Sequence, residues 1–127
     1  EAALSRNMGW AYSQAGMNDK AEESFRRAVN LKPEEGWWYY YLSWHLIDKN
    51  RDINEGLELI DKAMELDTNN KWLYLDCKGW GLYKQGKYRE AMEPMLKSQE
   101  IRMKEGTSNQ EFNDHLEAAK KAVAEMK

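Results

Sequence analysis

The chain has 127 residues, 42% hydrophobic and 32% charged, which suits one ordered domain rather than a disordered segment. Its 22 acidic and 19 basic residues are interspersed and leave a formal charge of -3, so no Lys/Arg stripe offers itself to nucleic acid or an anionic membrane. One cysteine, Cys77, excludes an internal disulfide, and no run of about 18 apolar residues is present to cross a membrane as a helix.

The sequence opens without a methionine, directly in helix-like Glu1-Ala2-Ala3-Leu4, which predicts a piece of a longer protein. The first helix is expected over residues 2–14, with Leu4, Met8, Ala11 and Tyr12 on one stripe and Gly16 ending it. A second helix is expected from Asp19, where Asp19-Lys20-Ala21-Glu22 has the pattern of a capping box. Ala21, Phe25, Ala28, Val29 and Leu31 follow before Pro33 closes this first helical hairpin.

The next stretch, 36–49, is rich in aromatics: Trp37, Trp38, Tyr39, Tyr40, Tyr41 and Trp44. Such residues favour strands, but the repeat register described below makes it a helix. After Lys49-Asn50-Arg51, a second capping box at Asp52-Ile53-Asn54-Glu55 opens a helix marked by Gly56, Ile60, Ala63, Met64 and Leu66. A third hairpin spans about 70–104. Leu75, Gly79, Leu82 and Tyr83 lie in its first helix, and Ala91, Met95, Leu96 and Ser98 in its second. Pro94 lies inside that second helix, where a missing hydrogen bond is expected to kink it at a cost of about 3 kcal/mol unless packing compensates. The last helix starts at Ser108-Asn109-Gln110-Glu111, with a stripe of Phe112, Leu116, Ala119, Val123 and Met126 and a charged opposite face that suits an end cap.

The three hairpins are copies of one plan. Gly9-Trp10, Ser43-Trp44 and Gly79-Trp80 recur at steps of 34 and 36 residues, and the small residues Ala21, Gly56 and Ala91 at steps of 35 and 35. A period of that length signals stacked helical repeats. Together with Tyr12, Phe25, Ala28 and Pro33 in the first unit, and Leu82, Met95 and Ser98 in the third, this pattern resembles the tetratricopeptide repeat (TPR) family. Ser43, Leu46, Gly56, Ile60 and Ala63 fit the same places in the second unit if its turn is one residue longer. The resemblance implies an all-α fold, a right-handed superhelix of three TPR hairpins plus a C-terminal capping helix. It divides a single domain, 1–127, into repeats at about 2–35, 36–69 and 70–105 and a cap at about 108–127. Thr68 and Met103 replace the family's terminal proline, and Ser5, Tyr39 and Leu75 replace its early tryptophan, which predicts irregular stacking.

In this family the first helices of the repeats line a concave groove that holds a peptide. That register puts Arg6, Asn7, Trp10, Trp37, Tyr40, Tyr41, Trp44, Asp76, Cys77, Trp80 and Tyr83 on or beside the groove. Trp and Tyr are enriched at binding hot spots, so the resemblance implies a non-enzymatic module gripping a peptide or partner helix. The tryptophan ladder also has a framework reading, in which each ring packs one first helix against the next. The family subclass that clamps a C-terminal carboxylate uses Lys, Asn and Arg groups that this sequence lacks. An apolar or aromatic peptide, with a basic residue meeting Asp76, fits better. The alternatives are a self-assembly or scaffold role, with the aromatic surfaces or the first helix at Ala2-Ala3-Leu4 stacking on another copy or on upstream repeats, and an accessory role in a larger enzyme.

Catalytic motifs are missing. His45 and His115 have no ligand spacing, Cys77 has no partner thiol, and Gly9, Gly79 and Gly81 lie inside helices rather than in a phosphate loop. Neither a metal nor a cofactor is expected.

Overall fold

The computed structural model describes residues 1–107 and 109–126, which form seven helices and no strand. The chain gathers into two units, Glu1–Thr68 and Asn69–Lys127. Unit 1 holds α1 (Ala2–Gln14), α2 (Asn18–Leu31), α3 (Gly36–Asp48) and α4 (Ile53–Leu66). Unit 2 holds α5 (Lys71–Lys84), α6 (Tyr88–Lys104) and α7 (Gln110–Ala124). Ser108, expected to open the last capping box, and Lys127 lie outside the described residues.

Each hairpin turns in the same way. A residue with positive φ, Gly16 (77°), Asn50 (55°) or Gly86 (83°), follows the first helix, and asparagine serves in the second hairpin because it tolerates that conformation better than most residues. The next N–H then reaches five residues back: Met17 to the Tyr12 carbonyl (2.9 Å), Arg51 to Leu46 (2.9 Å) and Lys87 to Leu82 (3.0 Å). Asp52 is the extra residue of the second turn, and it caps α4 by accepting from the Glu55 N–H at 3.0 Å.

The first capping box does not form. α2 starts one residue earlier than expected, with Met17 at the cap and no side-chain bond there. Asp19 and Glu22 pair with Arg51 across the hairpins instead, Glu22 at 2.8 Å, and Glu22 also holds Arg26 at 3.0 Å. Arg26 in turn forks onto both carboxylate oxygens of Glu55 at 2.8 Å. Longer-range ion pairing has won over local capping. In α7 the cap is Asn109, which accepts from the Phe112 N–H at 3.3 Å.

Small residues let paired helices approach. A Cβ on Gly9 would lie 2.8 Å from the Phe25 ring, and one on Gly79 2.5 Å from Met95 Cγ. Ala21 and Ala91 are fully buried opposite them. In the second hairpin Ser43 takes the small place and donates to the Gly56 carbonyl at 2.6 Å, satisfying its hydroxyl inside the core. Ser98 does the same toward the Trp72 carbonyl at 2.7 Å.

The aromatic stretch is helical throughout α3. Its Leu42, His45, Leu46 and Ile47 are buried, with Leu42 and Leu46 packed around Phe25 and Ala21 of α2. Tyr39 donates to the Pro33 carbonyl at 2.7 Å and Trp38 to Glu35 at 3.0 Å, so both are pinned at the start of α3. In unit 2, α6 continues as helix through the buried Pro94, and Met95 and Ala91 pack against Leu116 and Ala119 of α7.

Candidate ligand-binding face

The residues singled out from the repeat register fall into two groups with different environments. In unit 1 they gather. Arg6, on α1, lays its guanidinium over the rings of Trp38 (5.7 Å) and Tyr41 (5.3 Å) of α3. Asn7 fixes it by accepting from Nε (3.2 Å) and Nη2 (3.0 Å). Around Tyr41, Trp37 stands edge-on at 5.2 Å and Tyr40 at 5.3 Å, while Trp37 and Tyr40 stack at 5.8 Å. Tyr41 is backed from the core by Phe25, stacked at 6.3 Å.

Trp37, Tyr40, Tyr41 and Trp44 follow the helical spacing of one stripe on α3, and all four are half-buried. Trp10, one turn along α1 from Arg6, is 51% exposed. Arg6 is the only charged side chain in α1, so the stripe is aromatic with a single cation. The Arg6–Trp38 contact was not foreseen, because Trp38 lies outside the stripe that the register assigns to the ligand.

In unit 2 the equivalent residues are covered. Asp76 and Cys77 are each 1% exposed, and α7 contributes to the cover of Asp76. His115 of α7 donates from Nδ1 to Asp76 Oδ2 at 2.7 Å and stacks on Trp80 at 4.2 Å. Trp80 stacks on Tyr83 at 4.9 Å on its own helix, and its indole Nε1 is buried without a partner among the described residues. Arg102 of α6, 2% exposed, lies over the Phe112 ring at 5.3 Å and donates to Asn113 at 3.2 Å. Burial pushes the Asp76 carboxyl above its ordinary range, while the His115 hydrogen bond and the charges of His115 and Arg102 pull it back.

This corrects two expectations. Asp76 lies beneath His115 of α7 and is not open to a ligand's basic residue, and Cys77 is buried rather than an exposed groove-lining thiol. Sequence reasoning gave His115 no role beyond a discarded metal site. Its place between Phe112, Leu116 and Ala119 on the apolar stripe was the available signal. Tyr83 borders a cleft of about 580 Å³ shared with Tyr88, Lys121 and Met126.

The sequence profile of the tetratricopeptide repeat matches residues 7–35, which span most of the α1–α2 hairpin. The α1–α2 hairpin matches the tetratricopeptide repeat. A TPR-containing protein of Caenorhabditis elegans, trd-1, is 31% identical over 90 residues, covering 71% of this chain and 11% of that protein. The Sol locus transcriptional repressor of Clostridium acetobutylicum is 35% identical over 65 residues, covering 51% of this chain and 20% of the repressor. The matched part is thus a fifth or less of either relative's length.

Two solved TPR domains share the all-helical repeat fold. One is the TPR2B domain of yeast Sti1 in its pHsp70 complex, with a TM-score of 0.81 and 20% identity over 94% of this chain and 96% of that one. The other is the second TPR domain of human RPAP3 in complex with an Hsp70 peptide, with a TM-score of 0.74 and 14% identity over 94% of this chain and 98% of that one. No helix among the described residues is long and apolar enough to cross a membrane.

Proposed function

We propose that this chain is a non-enzymatic interaction module that holds a peptide or partner helix against the aromatic face of α1 and α3. The observation that carries this reading is the cluster of Trp37, Tyr40 and Tyr41 with the Arg6 guanidinium on it, beside the half-exposed Trp10. Rings held by one another and by the core present large contact area with little side-chain entropy left to lose on binding. Both solved TPR neighbours were captured with an Hsp70 ligand, which supports a peptide ligand for this chain as well. One cation amid several rings favours apolar or aromatic side chains over a densely acidic tail.

The test is selection of binding peptides from a displayed random library on the intact chain, followed by titration of the Trp10→Ala and Trp37→Ala variants. Loss of a ring at the centre of such a contact costs about 2 kcal/mol, near thirtyfold in affinity, with the helical circular dichroism unchanged. Equal binding by both variants would sink the reading.

A second reading has one observation in its favour. Leu4 (57% exposed) and Met8 (40% exposed) form an open apolar stripe on α1, which suits packing against another copy of the chain. Sedimentation across a hundredfold concentration range tests it, and a constant monomer mass rules it out.

A further inference from the structure

Unit 2 has a cleft of about 580 Å³ where the end of α5 and the start of α6 meet the last turns of α7. What the polar groups around a cleft are already bonded to decides whether it can hold anything else. In unit 1 the clefts of about 600 and 500 Å³ beside α2 and α4 are lined by Asp19, Glu22, Arg26, Arg51 and Glu55. Those groups are paired with one another. A smaller cleft of about 330 Å³ beside Pro94 has Glu93 and Lys97 joined at 3.5 Å.

The cleft at the end of α7 differs in this respect. The Tyr83 and Tyr88 hydroxyls, the Lys121 ammonium and the Glu125 carboxylate make no hydrogen bond or ion pair among the described residues. Lys121 and Glu125 stand one turn apart with the cation first, the order that favours pairing less. Glu117, one turn before Lys121, is held by Lys120 at 3.5 Å instead. The apolar surfaces are held in place. Tyr83 lies flat on Trp80 at 4.9 Å, and Tyr88 leans on Tyr83 at 5.2 Å with the ring planes 52° apart. On the α7 side Ala118 and Ala122 present only methyl groups, which leaves the space unfilled. Met126, 39% exposed, adds a flexible thioether that adapts to a ring.

Rings fixed by stacking, facing small residues, accept a flat aromatic group with little side-chain entropy left to lose. The rim ammonium suits a carboxylate, and the rim carboxylate suits a cation. Lys121, Glu125 and Met126 are exposed, so the cleft is open to a side chain entering from outside. A free small molecule is held by a pocket that buries most of its surface. We propose that this cleft is a peptide site in unit 2: it takes an aromatic side chain with an acidic residue beside it for Lys121 and a basic one for Glu125. The site needs nothing from the face of Arg6 and Trp37. Its failure and the failure of the Trp10 and Trp37 tests are therefore separate results.

The probe is the end-blocked peptide Gly-Glu-Trp-Lys-Gly, titrated into the intact chain and followed through its backbone amide shifts by heteronuclear NMR. The expected result is that the amides of Ala118 and Ala122 move. A peptide with alanine for tryptophan binds about thirtyfold more weakly. One with glutamine for both charged residues binds about threefold more weakly, the scale of exposed ion pairs. Ala122→Leu fills the floor of the cleft and abolishes the shifts. If that variant does not fold, the chain carrying Lys121→Gln and Glu125→Gln, both exposed, serves in its place, and there the charged and uncharged peptides bind equally. Still amides on α7, equal binding of the tryptophan and alanine peptides, or free tryptophan binding as tightly as the blocked peptide overturns the proposal.

Discussion

Unit 1 and unit 2 use the same register position in opposite ways. Arg6 on α1 and Asp76 on α5 both reach across to the next first-position helix. Arg6 meets an aromatic ring, Tyr41, at 5.3 Å and stays half-exposed beside an open tryptophan. Asp76 meets an imidazole, His115, at 2.7 Å and disappears from solvent. One repeat plan therefore yields a face that is aromatic and accessible in one place, and polar and occupied in another. The backbone repeat sets where a side chain stands; the side chain and whatever lies opposite decide whether that place remains a surface.

The largest test of this contrast lies in the cores behind the two faces. Phe25→Ala removes the ring that backs Tyr41 and fills the gap beside Gly9, and it should destabilise by about 3–5 kcal/mol. Met95→Ala, its counterpart beside Gly79, should cost about 2–5 kcal/mol. Urea unfolding measures both, and hydrogen exchange shows whether each loss appears first in its own unit.

The next effect separates the two register positions themselves. Asp76→Ala leaves His115 and Arg102 buried without their carboxylate and should cost about 3 kcal/mol. Arg6→Ala removes a partly solvated cation–ring contact and should cost about 0.5–1 kcal/mol while weakening ligand binding. Similar losses at both positions would remove the distinction drawn between them.

The smallest effect is a pH dependence confined to unit 1. His45 is buried against Phe25 at 5.4 Å and donates from Nε2 to the Asn18 carbonyl at 3.2 Å. Burial lowers its affinity for a proton below the ordinary value of 6.5, helped by Arg51 and Lys49; the Asn18 bond and Glu22 act the other way. The unfolded chain therefore takes up the proton first as pH falls through 6.5. The stability that neutral His45 contributes is full above that value and is lost as pH falls toward its folded-state value. His45→Gln should flatten the acid slope of thermal unfolding as pH falls below 6.5, and an unchanged slope would assign it to other groups.

Much of the fold was legible because it rests on local and periodic signals. Gly9, Ser43 and Gly79 occupy close helix contacts, and the residue added at Asp52 was visible as a longer step from Ser43 to Gly56 than from Gly9 to Ala21. The site was less legible because its decisive contacts are distant in sequence. Asp19 looked like a cap until Arg51, 32 residues on, claimed it. Asp76 looked like an open acid, and the imidazole that covers it is 39 residues away on a helix whose register matches none of the three repeats. The aromatic cluster lay between these cases: its stripe on α3 followed from spacing, but the Arg6 guanidinium above it did not.

The most direct measurement of the open-versus-occupied contrast is the water exchange of the six tryptophan indole N–H groups by NMR on the native chain. The account predicts that the Trp10 indole exchanges at nearly the solvent rate and that Trp80, sealed beneath His115, is strongly protected. Equal and rapid exchange at Trp80 and Trp10 would show that α7 does not occupy the unit 2 face, and would contradict the account at its centre.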